Sequence, residues 1–263
     1  MRRLVELAGR YRRLAYSARG FRTIHSPNAG RLRPRTLTST VKLQVLLRQR
    51  GVTEKMLIVI LGCLGGSLVR ADDSNVAWRT LDFVEAKDGW QVSQFGGRGP
   101  VEFVGDGLVK IGRGDPLSGV HYKGEIPRDD FELELEARRV EGIDFFCGLT
   151  FPVGDQRCSL IVGGWAGTVV GLSNVDDEDA AHNETQRIET FENGQWYRIR
   201  IRVSKDRIAA WIDDRLMVDQ PRGEHRFDVR PEVLPSLPLG LAVFASRGEA
   251  RSLRIRSLQD GER

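Results

Sequence analysis

The chain has 263 residues and a formal net charge of +4, an average that describes neither of its two parts. Residues 1–55 carry 14 Lys and Arg against two acids, Glu6 and Glu54. Residues 72–263 carry 25 Lys and Arg against 34 Asp and Glu, a net of −9, which excludes a generally basic, nucleic-acid-type surface for the larger part.

In chain order, the first segment is basic and patternless. Arg10, Tyr11, Arg12 and Arg13 suit phosphate electrostatically. No recognised nucleic-acid module accompanies them, so no nucleic-acid partner is expected. Residues 1–55 read as a non-globular extension, disordered or lying upstream of a true start at Val52 or Met56. Residues 56–71, MLIVILGCLGGSLVRA, follow Lys55 and have the length of a secretory signal, too short to span a bilayer comfortably. Val69-Arg70-Ala71 offers small residues before a cut, and cleavage after Ala71 is expected. Ile60-Leu61-Gly62-Cys63 also resembles a weak lipobox, which would instead place a lipid on Cys63. Either way the expected location is secreted or periplasmic.

Residues 72–263 read as one all-β domain. Phe131–Ala137 alternates apolar residues with Glu132, Glu134 and Glu136, the period-2 mark of a half-buried strand. Tyr197–Val203 does the same with Arg198, Arg200 and Arg202, and Leu253–Arg256 repeats it. These three strands are predicted to share a sheet, with opposite charges facing across its outer side. Further strands are predicted over 107–112, 120–126, 145–151, 158–163, 168–172, 187–191, 207–212 and 239–245. Asp213-Asp214 marks a tight hairpin. Residues 221–238, with four prolines and mixed charge, read as a long loop. Cys147 and Cys158 flank the turn Pro152–Asp155; a cross-strand disulfide is conceivable there, and two buried thiols are the preferred reading. The pattern predicts a two-sheet sandwich.

Several segments resemble the 3-keto-disaccharide hydrolase domain family, within the concanavalin A-like lectin/glucanase fold. They are Asp130–Arg138, Asn193–Val203 (NGQWYRIRIRV), Arg207–Asp219 (RIAAWIDDRLMVD), and the closing pair Pro238–Ala242 and Leu253–Leu258. The resemblance covers about residues 76–258. It implies a two-sheet antiparallel jelly roll, export, and action on oxidised or ordinary glycosides at a concave sheet. It also implies a Tyr-Glu pair on the strand after the first hairpin, where this chain carries Cys158-Ser159-Leu160-Ile161.

The candidate site lies just beyond that strand, in 163–185, GGWAGTVVGLSNVDDEDAAHNET. Gly163, Gly164 and Gly167 leave room for the Trp165 indole to stand exposed, and an indole face suits a sugar ring. Acid–base work on a glycoside needs two carboxylates across the scissile bond. The candidates are Asp144, Asp177 and Glu184, with His182 as acid or base. Trp165, Asn183 and Arg187 are the candidate substrate-binding residues. Asp176 and Asp179 are oxygen ligands for a Ca²⁺ ion, the one cofactor considered, although their spacing matches no fixed calcium loop. Asn183-Glu184-Thr185 also forms a glycosylation sequon. Glu132, Glu134 and Glu136 are read as an outer ion-pair face. No nucleotide loop, zinc motif or nucleophile elbow is present. The sequence thus points to a carbohydrate-active domain, a glycoside hydrolase of the 3-keto-disaccharide type, with a lectin-like binding module as the alternative and a structural domain without a sugar site as the third reading.

Overall fold

The computed structural model describes residues 77–259 and 261–262. The extension, the signal segment and Cys63 lie outside the described residues. In chain order the strands are β1 (Arg79–Thr80), β2 (Trp90–Val92), β3 (Val101–Val104), β4 (Leu108–Ile111), β5 (Leu117–Tyr122), β6 (Phe131–Glu141), β7 (Cys147–Val153), β8 (Gln156–Gly164), β9 (Val169–Ser173), β10 (Arg187–Ile188), β11 (Tyr197–Val203), β12 (Arg207–Ile212), β13 (Arg215–Pro221), β14 (Leu239–Phe244) and β15 (Arg247–Ser257). The first sheet runs β13-β12-β11-β6-β15-β4-β3, with β1 added on β15; the second runs β10-β9-β8-β7-β14-β5-β2. All pairings between these strands are antiparallel. This is the predicted two-sheet jelly-roll sandwich.

The alternation decides which side chains fill it. Phe131, Leu133, Leu135, Ile199, Ile201, Val203, Leu253 and Ile255 point inward from the first sheet. Cys147, Leu149, Phe151, Cys158, Leu160, Val162 and Leu172 meet them from the second. Both cysteines are buried free thiols, and burial pushes the Cys158 thiol up to about 12. Phe151, four residues beyond Cys147, is the partner of Cys158 across the β7–β8 pair, so the two are not apposed for a disulfide.

The outward residues of the first sheet form the predicted charge lattice. Glu136 stands between Arg198 and Arg251, Glu134 between Arg200 and Arg254, and Glu132 between Arg202 and Arg256. A fourth row reads Arg138, Glu249, Lys110, Glu102. Trp78, Trp196 and Trp211 lie half-buried on this face under pairs of guanidinium groups, 4.2–5.8 Å from the ring centres. Trp90 is fully in the core.

Several boundaries move. The strand expected over 187–191 is two residues long, and that over 120–126 begins at Leu117 and ends at Tyr122. The expected loop 221–238 contains a 3-10 segment, Pro231–Ser236, packed on β5 and β14.

Candidate functional site

The outer face of the second sheet is where the family resemblance would put the chemistry, and here it is filled. One cross-strand row reads His121, Gly240, Thr150, Ser159, Ser173; the next reads Gly119, Ala242, Gly148, Ile161, Gly171. The glycines, Ala242 and the hydroxyl residues of these rows admit two covering segments. A Cβ at Gly240 would overlap the Ser236 carbonyl, and one at Gly171 would meet Ala180 O and Thr185 Oγ1 at 3.1 Å. Val229, Val233 and Ala180 join Phe95, Leu117, Phe145, Ile161, Val169 and Ala242 in a second apolar cluster over this face. Thr150 and Ser159 satisfy each other at 2.8 Å. The stretch that corresponds to the family's Tyr-Glu pair, Cys158–Ile161, thus carries no carboxylate, and its outward residues Ser159 and Ile161 are both buried.

The acidic loop is one of these covers. Residues 174–178 pair with 226–228 through the Val175–Phe227 bridge and the bond from Asp176 N to Arg226 O (2.8 Å). Its charges are matched from the other segment. His225 Nδ1 lies 2.7 Å from Asp176, Arg226 pairs with Asp177, and Arg230 reaches Asp179 at 3.1 Å. Asp179 also binds His182 Nδ1 (2.6 Å) and Ala181 N (3.0 Å). The predicted calcium ligands thus spend their oxygens on internal partners. Among the described residues no group of three His, Cys, Asp or Glu side chains is set to hold a metal.

The loop's other predicted residues also have structural work. Asn183 is 8 % exposed. Its amide nitrogen donates to Leu172 O, Glu178 O and Asp179 O, and its oxygen accepts from Thr185 N and Oγ1. Asn183 is thus a buried tie and presents no free group to a substrate. Arg187 is exposed and bonds the Glu184 and Gln186 carbonyls. Glu184 is 3.9 Å from His225. Asp177, His182 and Glu184 thus lie on the solvent side of the cover, each beside a charged neighbour.

His225 was not among the sequence candidates. The hydrogen bond to Asp176 raises its pKa above 6.5, while the Arg226 amide and then His225 lower that of Asp176 below 3.8. The histidine's contribution to stability is present below pH 6.5 and is lost as pH rises through its raised value. The aspartate's is present above 3.8 and is lost as pH falls through its lowered value. Amide exchange at Asp176 and Arg226, corrected for intrinsic rate, is expected to be slower at pH 6 than at pH 9. Equal protection at both would remove the pair from the clasp.

Asp144 and Trp165 meet elsewhere, at the rim. Gly164-Trp165-Ala166-Gly167 is the tight turn of the β8–β9 hairpin, closed by Gly167 N to Gly164 O at 3.2 Å. Trp165 (φ 47°) and Ala166 (φ 65°) both take left-handed backbone, where Asn-Gly would be the favoured pair. Asp144 holds the turn: its carboxylate accepts from Phe145 N (2.8 Å) and Ala166 N (3.3 Å). Burial raises the Asp144 pKa above the ordinary 3.8 against the pull of these amides and of Arg139.

Arg139 organises the same corner. It is only 7 % exposed, in the inward phase of β6 after Ala137. Its guanidinium donates to Asn193 Oδ1 and Phe191 O, both at 2.6 Å, and to Asp144 O at 3.5 Å. The indole is half-buried against the second apolar cluster, contrary to the exposed ring expected, and its Nε1 is buried without a partner.

A β-sandwich with an aromatic turn at the rim of one sheet and an ion-pair lattice on the other is the class this molecule defines. Within it, the chain belongs to the 3-keto-alpha-glucoside-1,2-lyase-like domain family, whose model matches residues 78–256. Among solved structures, it is similar to a Crh5 transglycosylase at 14 % identity, over 70 % of this chain and 86 % of that one, with a TM-score of 0.48. It is similar to SCLam, a non-specific family 16 endo-β-1,3(4)-glucanase, at 11 % identity over 70 % and 91 %, with a TM-score of 0.47. It is also similar to the carbohydrate-binding module CBM66 from Bacillus subtilis at 17 % identity over 64 % and 96 %, with a TM-score of 0.41. A comparison with curated proteins finds no match.

Proposed function

We propose that this is an exported, non-catalytic carbohydrate-binding domain that holds a glycan at the Trp165–Asp144 rim. The carrying observation is the turn itself. A tryptophan and an alanine sit in left-handed backbone at a cost of about 1–2 kcal/mol each, where Asn-Gly would cost little. Strain of this kind is kept where a side chain has a task. The half-buried indole supplies apolar surface for a pyranose ring, and the Asp144 carboxylate beside it, whose two oxygens already accept the Phe145 and Ala166 amides, would accept hydroxyl hydrogens through its remaining lone pairs. The hydrolase reading draws less support. It requires a second carboxylate opposite the first, whereas Asp177 pairs with Arg226, Glu184 lies near His225, and the stretch Cys158–Ile161 carries no carboxylate.

The test is binding and turnover of a glycoside panel, 3-keto-glucosides included, by the wild-type chain, Trp165→Asn and Asp144→Asn. Trp165→Asn relieves the turn and loses apolar burial of comparable size, so stability should change by no more than about 1 kcal/mol. Binding should fall at least tenfold with no turnover in any form. Turnover abolished by Asp144→Asn would make the domain an enzyme.

The raised pKa of Asp144 adds a pH signature. As pH falls, the carboxylate becomes protonated earlier than an ordinary aspartate, so hydroxyl recognition should weaken above pH 3.8. Stability carries the opposite sign: the contribution of Asp144 is greatest below 3.8 and is lost as pH rises through the raised value. Binding that follows an unshifted aspartate would separate Asp144 from recognition.

A further inference from the structure

The outer face of the second sheet ends, at the Trp165 rim, in an apolar row. Across the strands it reads Leu117, Phe244, Phe145, Gly164, Val169, Ile188. Leu117 pairs with Phe244, and Gly164 and Ile188 both pair with Val169. The Phe244 amide donates to Phe145 O at 3.0 Å, and the two rings lie 5.6 Å apart. Trp165 follows Gly164 and packs, as Phe244 does, on the second apolar cluster. Paired residues share a face, so Ile188 stands on the side of Val169, which belongs to that cluster.

The row is sealed between its contacts and open at three of them. Leu117, Phe145 and Val169 are buried, whereas Phe244 and Trp165 are half-buried and Ile188 is 69 % exposed. These three belong to β14, to the turn after β8, and to β10, and each is two strands from the next in the order β10-β9-β8-β7-β14. At a strand spacing of about 4.8 Å they follow one another at about 10 Å and span about 19 Å. That is longer than one pyranose ring and suits a short linear chain of rings. Asp144 fixes the two turns relative to each other: its amide donates to Ser246 Oγ at 3.1 Å, just beyond Phe244, and its carboxylate accepts the Ala166 amide at 3.3 Å. The same carboxylate would repel an acidic sugar laid along the row.

We infer that this row binds a linear, uncharged oligosaccharide, with Phe244, Trp165 and Ile188 carrying successive parts of the chain. The inference rests on the rim reading above and names its ligand as a chain of sugars rather than a single terminal ring.

The experiment is an NMR and calorimetric titration of the full chain with β-1,3- and β-1,4-linked gluco-oligosaccharides, from glucose to the tetrasaccharide, beside a uronic acid tetrasaccharide. In one of the neutral series the tetrasaccharide should bind at least tenfold more tightly than glucose, and the uronic acid should bind more weakly than either. Ile188→Ser, at an exposed position that folding does not depend on, and Phe244→Ala should each lower tetrasaccharide affinity several-fold and leave that of glucose unchanged. Trp165→Asn should weaken every member. Affinity independent of chain length, with Trp165 still required, would overturn the row and leave the rim reading standing. Length dependence that survives Trp165→Asn would remove the rim reading and, with it, the middle contact of the row. No binding of any member would overturn the proposal. Self-association of the chain abolished by Ile188→Ser would also overturn it, by making the row a contact between copies.

Discussion

Glu132→Gln is expected to lower unfolding free energy by about 3–5 kcal/mol, the usual loss when one partner of a buried ion pair is removed. The Glu132 side chain is 1 % exposed although it sits on the outward face of β6. Arg202 and Arg256 donate to its two oxygens at 2.9 and 2.7 Å, and Arg200 approaches to 3.7 Å. The Glu134 row on one side and Glu262, which binds Arg202 and Arg256, on the other, with Trp78 and Trp211 stacked on the same guanidiniums, roof the carboxylate over. Removing its charge leaves three arginines converging on a neutral amide. Opening an exposed pair such as Arg128–Asp155 should cost less than about 1 kcal/mol. Urea denaturation of both variants provides the measurement. The double variant Glu132→Gln, Arg202→Met should recover part of the loss, because it removes one of the stranded charges. A cost below 1 kcal/mol for Glu132→Gln would mean that the lattice is merely a solvated face.

That lattice is legible in the sequence. Alternation in Phe131–Ala137 and Tyr197–Val203 fixes which residues share a face, and opposite charge on the two strands favours their pairing. What alternation did not reveal was depth. A period of two separates inward from outward, but burial of Glu132 comes from neighbours two strands away. Arg139 carries the opposite lesson. It continues the inward phase Phe131, Leu133, Leu135, Ala137, so the pattern places a cation at the mouth of the core. Read as the end of a strand, that position hides its role. The filled face was foreshadowed by Gly119, Gly148, Gly171 and Gly240, which leave room for backbone to approach. Only the fold brings the four into adjacent rows. The acidic loop misled for a related reason: its partners His225, Arg226 and Arg230 lie about fifty residues downstream, in a stretch whose mixed charge was visible and whose pairing was not.

Asn183→Ala is expected to cost about 2–4 kcal/mol, which separates a tie within the cover from a residue held ready for a sugar. The side-chain nitrogen lies 2.9 Å from three carbonyls, which share its two N–H groups, and the side-chain oxygen accepts two more bonds. Alanine would leave the carbonyls of Leu172, Glu178 and Asp179 and the Thr185 amide without that partner, in a segment lying directly over Gly171. Thr185 Oγ1, which accepts the Leu172 amide at 2.8 Å, would lose its orientation as well. Asn183→Asp should be at least as damaging, because an oxygen would replace the nitrogen that faces three carbonyls. Urea denaturation of both variants decides the matter, with glycan binding measured on whatever remains folded. If Asn183 were a sugar contact, alanine would preserve stability and abolish binding. If it is a tie, stability falls first, and binding at Trp165 suffers only as far as the loop loosens beneath Ala180 and Ala181, which pack in the same apolar cluster as the indole.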